Sequence, residues 1–201
     1  AAFILTRSTE VVQEFKRVLE DDLDLSEEQI RKIILSRPKI LSSNPQTILS
    51  NIDTLAHNMK SERKIVAQSA YKFSPLFYLD PTTIALRQKN ISSQLDIPTE
   101  ILYAAYLRSP TLFSRTSEPF IKKIRLTQRI ARICGENPSF SDIITSTPAV
   151  GSYSVDRLLI RYLVAKLGLW TWRWPNLIFL SNDKCKKKFN EYMDGLDHAD
   201  K

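Results

Sequence analysis

The stretch SRPKIL at residues 36–41 sets Pro38 at the end of an apolar-periodic run, and the same pattern returns as FSPLFY at 73–78, SPTLF at 109–113 and STPAV at 146–150. The four prolines, Pro38, Pro75, Pro110 and Pro148, stand 37, 35 and 38 residues apart. A recurrence of that period signals a repeat architecture, in which each unit is one supersecondary element. Eight residues before each proline stand Ile30, Ala67, Leu102 and Phe140; five before, Ile33, Ala70, Ala105 and Ile143; four before, Ile34, Tyr71, Tyr106 and Ile144. This is the spacing of a helix with one buried stripe. The residue before proline is pushed out of the α region, so each of these helices should end at its proline.

A second helix is expected after each turn. Asn44-Pro45, Asp80-Pro81 and Ser117-Glu118-Pro119 place a polar residue ahead of a proline, a favourable helix entry. The apolar positions that follow are Ile48, Ile52 and Leu55; Ile84, Ile91 and Leu95; Ile121 and Ile124; and Val155, Leu158, Leu159, Tyr162 and Leu163. Ser26-Glu27-Glu28-Gln29 matches a capping box, and Pro98 can open the first helix of the third unit. A helix over roughly Thr9 to Leu23 precedes the array. A shortened fifth unit follows at Trp174-Pro175-Asn176-Leu177-Ile178, with a second helix from Asn182 to Met193 and no room for a first. The expected organisation is an N-terminal capping helix (1–23), a repeat array (24–193) and an acidic tail (194–201).

Composition narrows the function. The 201 residues include 4 isolated glycines, so no phosphate-cradling loop can be written. Cys134 and Cys185 lack CxxC spacing, and His57 and His198 have no ligand-like neighbours, so neither a metal nor a disulfide framework nor any cofactor is expected. No nucleophile motif occurs, and a non-enzymatic role is the expectation. No apolar run approaches the ~18 residues that span a bilayer, and AAFIL at 1–5 is too short for a secretory core, so a soluble chain with no membrane partner is expected. The formal charge is +7. It is uneven: residues 1–60 hold 8 basic and 9 acidic side chains, residues 101–190 hold 15 and 5. That asymmetry points to a polyanion met by the C-terminal half.

These units resemble the repeats of the mitochondrial transcription termination factor (mTERF) family, in which a helix ends in a Pro-x-[Leu/Ile]-[Leu/Phe] turn and a second helix ends near Leu-Gly-Leu. STPAVGSYSVDRLLIRYLVAKLGL at 146–169 carries the likeness through Pro148, Tyr153-Ser154-Val155 and Leu167-Gly168-Leu169. WPNLIFLSNDKCKKKF at 174–189 is similar to the family's C-terminal unit through Pro175, Leu177, Ser181 and its lysines. Gly151 departs from the pattern, standing where the other units have a large apolar residue. The resemblance implies an all-α, right-curving solenoid in mitochondria or chloroplasts that binds DNA or RNA, serving organellar transcription, its termination, RNA processing or ribosome assembly.

The candidate site is basic. At about 100° per residue, Lys122, Arg125, Arg129 and Arg132 form one stripe, with Leu126, Ile130 and Ile133 on one side and Phe120, Ile121, Ile124 and Ala131 on the other. Cations at helical pitch can neutralise successive phosphates without reading a base. A solvated basic face with no ligand would show the same residues. Arg157 and Arg161 could extend the stripe or pair with Asp156. Lys184, Lys186, Lys187 and Lys188 form a cluster that either meets phosphate or is simply solvated. Trp170, Trp172 and Trp174 read first as a capping core and second as a stacking platform for bases. The partners expected are rRNA, other structured RNA or duplex DNA, with neighbouring proteins if the chain is a scaffold in a ribonucleoprotein such as a mitochondrial ribosome.

Overall fold

The computed structural model describes residues 9–170 and 173–199, and every regular element among them is helical. Residues 1–8 of the expected capping helix, Trp172 and the last two residues of the expected tail lie outside the described residues. Helix α1 (Thr9–Arg17) runs into a widened turn at Val18–Asp22. The repeat units follow as α2 (Glu27–Ser36) and α3 (Pro45–Asn58), α4 (Arg63–Lys72) and α5 (Pro81–Leu95), α6 (Thr99–Arg108) and α7 (Ser117–Ile133), and α8 (Phe140–Ser146) and α9 (Val155–Lys166). The shortened fifth unit is α10 (Trp174–Phe179) and α11 (Asn182–Ala199). Helix α11 continues well beyond Met193, taking in most of the segment expected to be a tail.

Each of the four full units turns through a short 3-10 segment at its proline: Pro38–Ser42, Ser74–Phe77, Pro110–Ser114 and Pro148–Ser152. Arg37 (φ −146°, ψ 69°) and Thr147 (φ −136°, ψ 57°) sit directly before their prolines and leave the helical region there. In the second unit the break comes one residue earlier, at Phe73, and Pro75 is the second residue of the turn. Local side chains supply the helix starts. Ser26 and Gln29 form the expected capping box, and Ser139 and Asp142 form another. Asn44 accepts from the Gln46 N–H, and Asp80 from the N–H groups of Thr82 and Thr83. The hydrogen bonds from Thr83 hold the Asp80 carboxyl below its ordinary pKa. Helix α7 differs from expectation, because Thr116 is its N-cap residue and Ser117 already lies in the first turn.

The ends of the longer elements share one device. Asp24, Lys60, Gly135 and Gly168, each one position past a C-cap residue, and Asp96, directly after α5, all take positive φ, between 50° and 83°. The following N–H reaches back to close the end, as in Ile97 to Ser92 O and Leu169 to Val164 O. Glycine takes this conformation without the Cβ clash that an L side chain incurs. Asp96→Gly is therefore expected to stabilise the protein by ~0.5–1 kcal/mol, read as a raised urea midpoint with unchanged m.

The chain divides into two compact units, the first running to Gln88 and taking in Tyr106–Ser114, the second comprising Lys89–Ala105 and everything from Arg115. In the first, α3 packs on α4 and on the Val18–Asp22 turn, while α4 packs on the turns at Pro75 and Pro110. Leu19, Leu23, Ile33, Ile48, Ile52, Val66, Leu76 and Phe77 are buried there, and Tyr106 meets Phe113 edge to face with ring centres 5.0 Å apart. In the second, α7 packs on α8, α9, α10 and the Pro148 turn, and α9 packs on α11. Ile124, Ile130, Ile143, Val150, Leu158, Val164, Leu177 and Ile178 fill its core.

The apolar columns sort by depth. Ile33, Ala70, Ala105 and Ile143, five before each proline, are all buried. One residue later, Tyr106 and Ile144 are buried but Ile34 and Tyr71 are half-exposed. The largest departure lies in α9, where Leu158 is buried while Val155, Leu159 and Leu163 remain 47%, 44% and 45% exposed. These three residues, at i, i+4 and i+8, form an apolar stripe on the surface rather than in the core.

Candidate nucleic-acid interface

Helix α7 buries Phe120, Ile121, Lys123, Ile124, Thr127, Ile130 and Ala131. At about 100° per residue these cover half its circumference, so most of the two apolar strips expected beside the basic stripe merge into one buried face. Lys122, Arg125, Arg129 and Arg132 are all exposed on the opposite side. Lys122 pairs with Glu118 one turn back at 2.6 Å, and this pairing holds the Glu118 carboxyl below its usual range. Both partners are well exposed, so the pair is weak and yields readily to a phosphate. Arg125 donates to the Gln94 carbonyl at 3.3 Å, and Arg132 donates from Nε to the Asn137 amide oxygen at 3.0 Å. Arg129 has no hydrogen-bond or ion-pair partner among the described residues. Among the described residues, three of the four cations thus have no carboxylate partner. They are held at helical pitch on one face, which is the arrangement that neutralises a phosphate backbone.

Sequence reasoning missed Lys123, which is buried on the face of α7 opposite this stripe. Its ammonium donates to the Gly151 carbonyl at 3.1 Å, and burial pushes its pKa down. Gly151 is itself buried, at the place where the other units carry a large apolar side chain. Lys123 stands thirteen residues after its turn proline, in register with Asn51, Gln88 and Arg161. Three of its four members hold the unit that follows: Asn51 donates to Phe77 O, Lys123 to Gly151 O and Arg161 to Ile178 O in α10. In the second unit Arg87, beside the column, donates to Phe113 O, and the buried Gln88 amide nitrogen meets no partner among the described residues. A 3-10 turn leaves carbonyls without helical donors, and a buried carbonyl needs one. A polar residue at a fixed distance from each proline was the available sequence signal.

Arg161 therefore leaves the proposed surface track. It is fully buried, with Nε on Ile178 O at 3.1 Å, one terminal nitrogen on Arg157 O at 2.6 Å and on Asn182 Oδ1 at 3.0 Å, and the other on Leu180 O. Four acceptors surround the guanidinium, and burial lowers its pKa. Arg157 is half-buried, its guanidinium carbon 3.7 Å from the centre of the Tyr153 ring, so an aromatic face rather than Asp156 holds it.

Lys184, Lys186, Lys187 and Lys188 are exposed on α11. At about 100° per residue, Lys184, Lys187 and Lys188 share one face and Lys186 points away from it. Lys187 lies 3.8 Å from Glu191, and the Lys188 ammonium sits 5.9 Å over the Trp170 ring. Trp174 is buried, as a capping core requires, and Trp170 is half-buried. Among the described residues no group of three His, Cys, Asp or Glu side chains could hold a metal ion, and no helix is long and apolar enough to cross a membrane. In comparisons with known proteins, no family model, no curated protein and no solved structure matches the chain, so the mTERF likeness rests on the residues quoted for it.

Proposed function

We propose that this chain is a non-enzymatic nucleic-acid-binding protein of organellar gene expression, an mTERF-like solenoid that grips the phosphate backbone of DNA or structured RNA. The observation that carries the reading is the common face of Lys122, Arg125, Arg129 and Arg132, exposed on α7 with a single exposed carboxylate among their partners in the described residues. Lys184, Lys187 and Lys188 supply a second patch, and Arg161 has no part in it. Contacts of this kind give affinity without sequence choice.

The test is titration of labelled duplex DNA and a structured RNA at two salt concentrations. Binding should weaken steeply with salt, each phosphate contact adding about −0.9 to the logarithmic slope on duplex DNA. Affinity that does not change with salt would sink the reading. A second reading, a scaffold within a mitochondrial ribosome or similar ribonucleoprotein, is favoured by the Val155, Leu159 and Leu163 stripe, which suits a protein neighbour. It would show as weak binding by the isolated chain together with co-sedimentation with ribosomal subunits.

A further inference from the structure

Beside the lysines of α11 lies a shallow groove lined by Trp170, Asn176, Phe179, Leu180, Ser181 and Lys184. Its chemistry differs from that of the α7 face. Phe179 is a large aromatic residue that the fold leaves 51% exposed, although its neighbours Leu177 and Ile178 are fully buried. The side chain therefore adds little to the core, and its ring face is open to a planar partner. Asn176 is exposed and carries both a donor and an acceptor, so it can pair with a base edge or a ribose hydroxyl. Lys184 is exposed at the rim with no ion-pair partner among the described residues, and Lys188 is held over Trp170 a turn further on. The Trp170 indole N–H, shielded from water, meets no acceptor among the described residues.

We infer that this groove takes one unpaired nucleotide of a single-stranded RNA or DNA segment, its base stacked on Phe179 and its phosphate met by Lys184. The proposal rests on the nucleic-acid reading above and adds a ligand class that the α7 face does not select. A row of cations recognises phosphates whether or not the bases are paired. An open aromatic face beside an amide and an ammonium suits a base released from a duplex, since a paired and stacked base offers no free π-face. Stacking tolerates all four bases, so the groove favours single strands without choosing a sequence. Lys188 already covers one face of the Trp170 ring, which leaves Phe179 as the platform.

The experiment compares an unstructured RNA oligonucleotide, its DNA counterpart and a perfect duplex, each labelled, against the full chain and the variants Phe179→Ala, Phe179→Leu and Lys184→Gln. Phe179→Leu keeps apolar bulk and removes the π-face; because the site is half-exposed, thermal unfolding should match the parent. Phe179→Ala and Phe179→Leu are both expected to weaken single-strand binding by about ten-fold and to leave duplex binding unchanged. Lys184→Gln should lower single-strand affinity and reduce its salt dependence. Single-strand affinity unchanged in both Phe179 variants would overturn the proposal, as would an equal loss on single strand and duplex. Charge reversal at Arg125 and Arg129 in the same assay separates the two ideas. If that reversal abolishes duplex binding while the Phe179 variants bind as the parent does, the groove fails and the α7 face stands. If the Phe179 variants alone lose affinity, the groove stands and the face fails.

Discussion

Charge reversal of Arg125 and Arg129 together is expected to lower affinity for duplex DNA or structured RNA by ~10- to 100-fold at low salt and to flatten the logarithmic salt slope by about two. These two residues stand one helical turn apart on the exposed face of α7, and neither is matched to a carboxylate among the described residues. Removing them deletes two phosphate contacts, and the glutamates repel the same phosphates. The core beneath is untouched, because Phe120, Ile124 and Ile130 lie on the opposite side. Circular dichroism and thermal unfolding should match the parent. Lys122→Gln is expected to have a smaller effect, since Glu118 already offsets part of its charge. Unchanged binding in the double variant would remove α7 from the function.

Arg161→Met is expected to destabilise the protein by ~3–5 kcal/mol while leaving intrinsic nucleic-acid affinity unchanged where the variant is folded. Methionine keeps part of the aliphatic stem but none of the five donors. The carbonyls of Ile178 and Leu180 and the Asn182 amide oxygen would lose their donor. A buried polar group left unsatisfied costs about 1–3 kcal/mol, and the vacated volume adds a cavity term. Replacing a buried cation with an apolar side chain can be neutral when its partners go with it. Here three of the four acceptors are backbone carbonyls and must remain. Arg161→Lys should recover only part of the loss, since one ammonium cannot reach the acceptors that a planar fork spans. Urea denaturation measures the change, and hydrogen exchange should locate it first in α10 and α11. Lost affinity without lost stability would return Arg161 to the surface track.

The mixed outcome at the basic residues has one cause. Helical pitch follows from local backbone geometry, so the common face of Lys122, Arg125, Arg129 and Arg132 could be read from spacing alone. Depth cannot be read that way. Lys123 and Arg161 are as basic as their neighbours, yet both are buried because the following unit presents a carbonyl to them. In α9 the error runs the other way. Val155, Leu159 and Leu163 have the right pattern for a core, and the elements packed on α9 leave that side open.

Local chemistry determined the helices and their breaks: proline removes a donor and restricts the residue before it, Ser26, Asn44 and Asp80 satisfy free N–H groups, and Gly135 and Gly168 accept positive φ. Each of these effects acts within a few residues and is therefore written in the chain. Packing alone decided which cations meet water and which hold turns together, because burial depends on residues brought close from far along the sequence. Arg157 and Arg161 show the difference most plainly: one helical turn apart and identical in chemistry, one rests on a tyrosine ring and the other is enclosed by carbonyls.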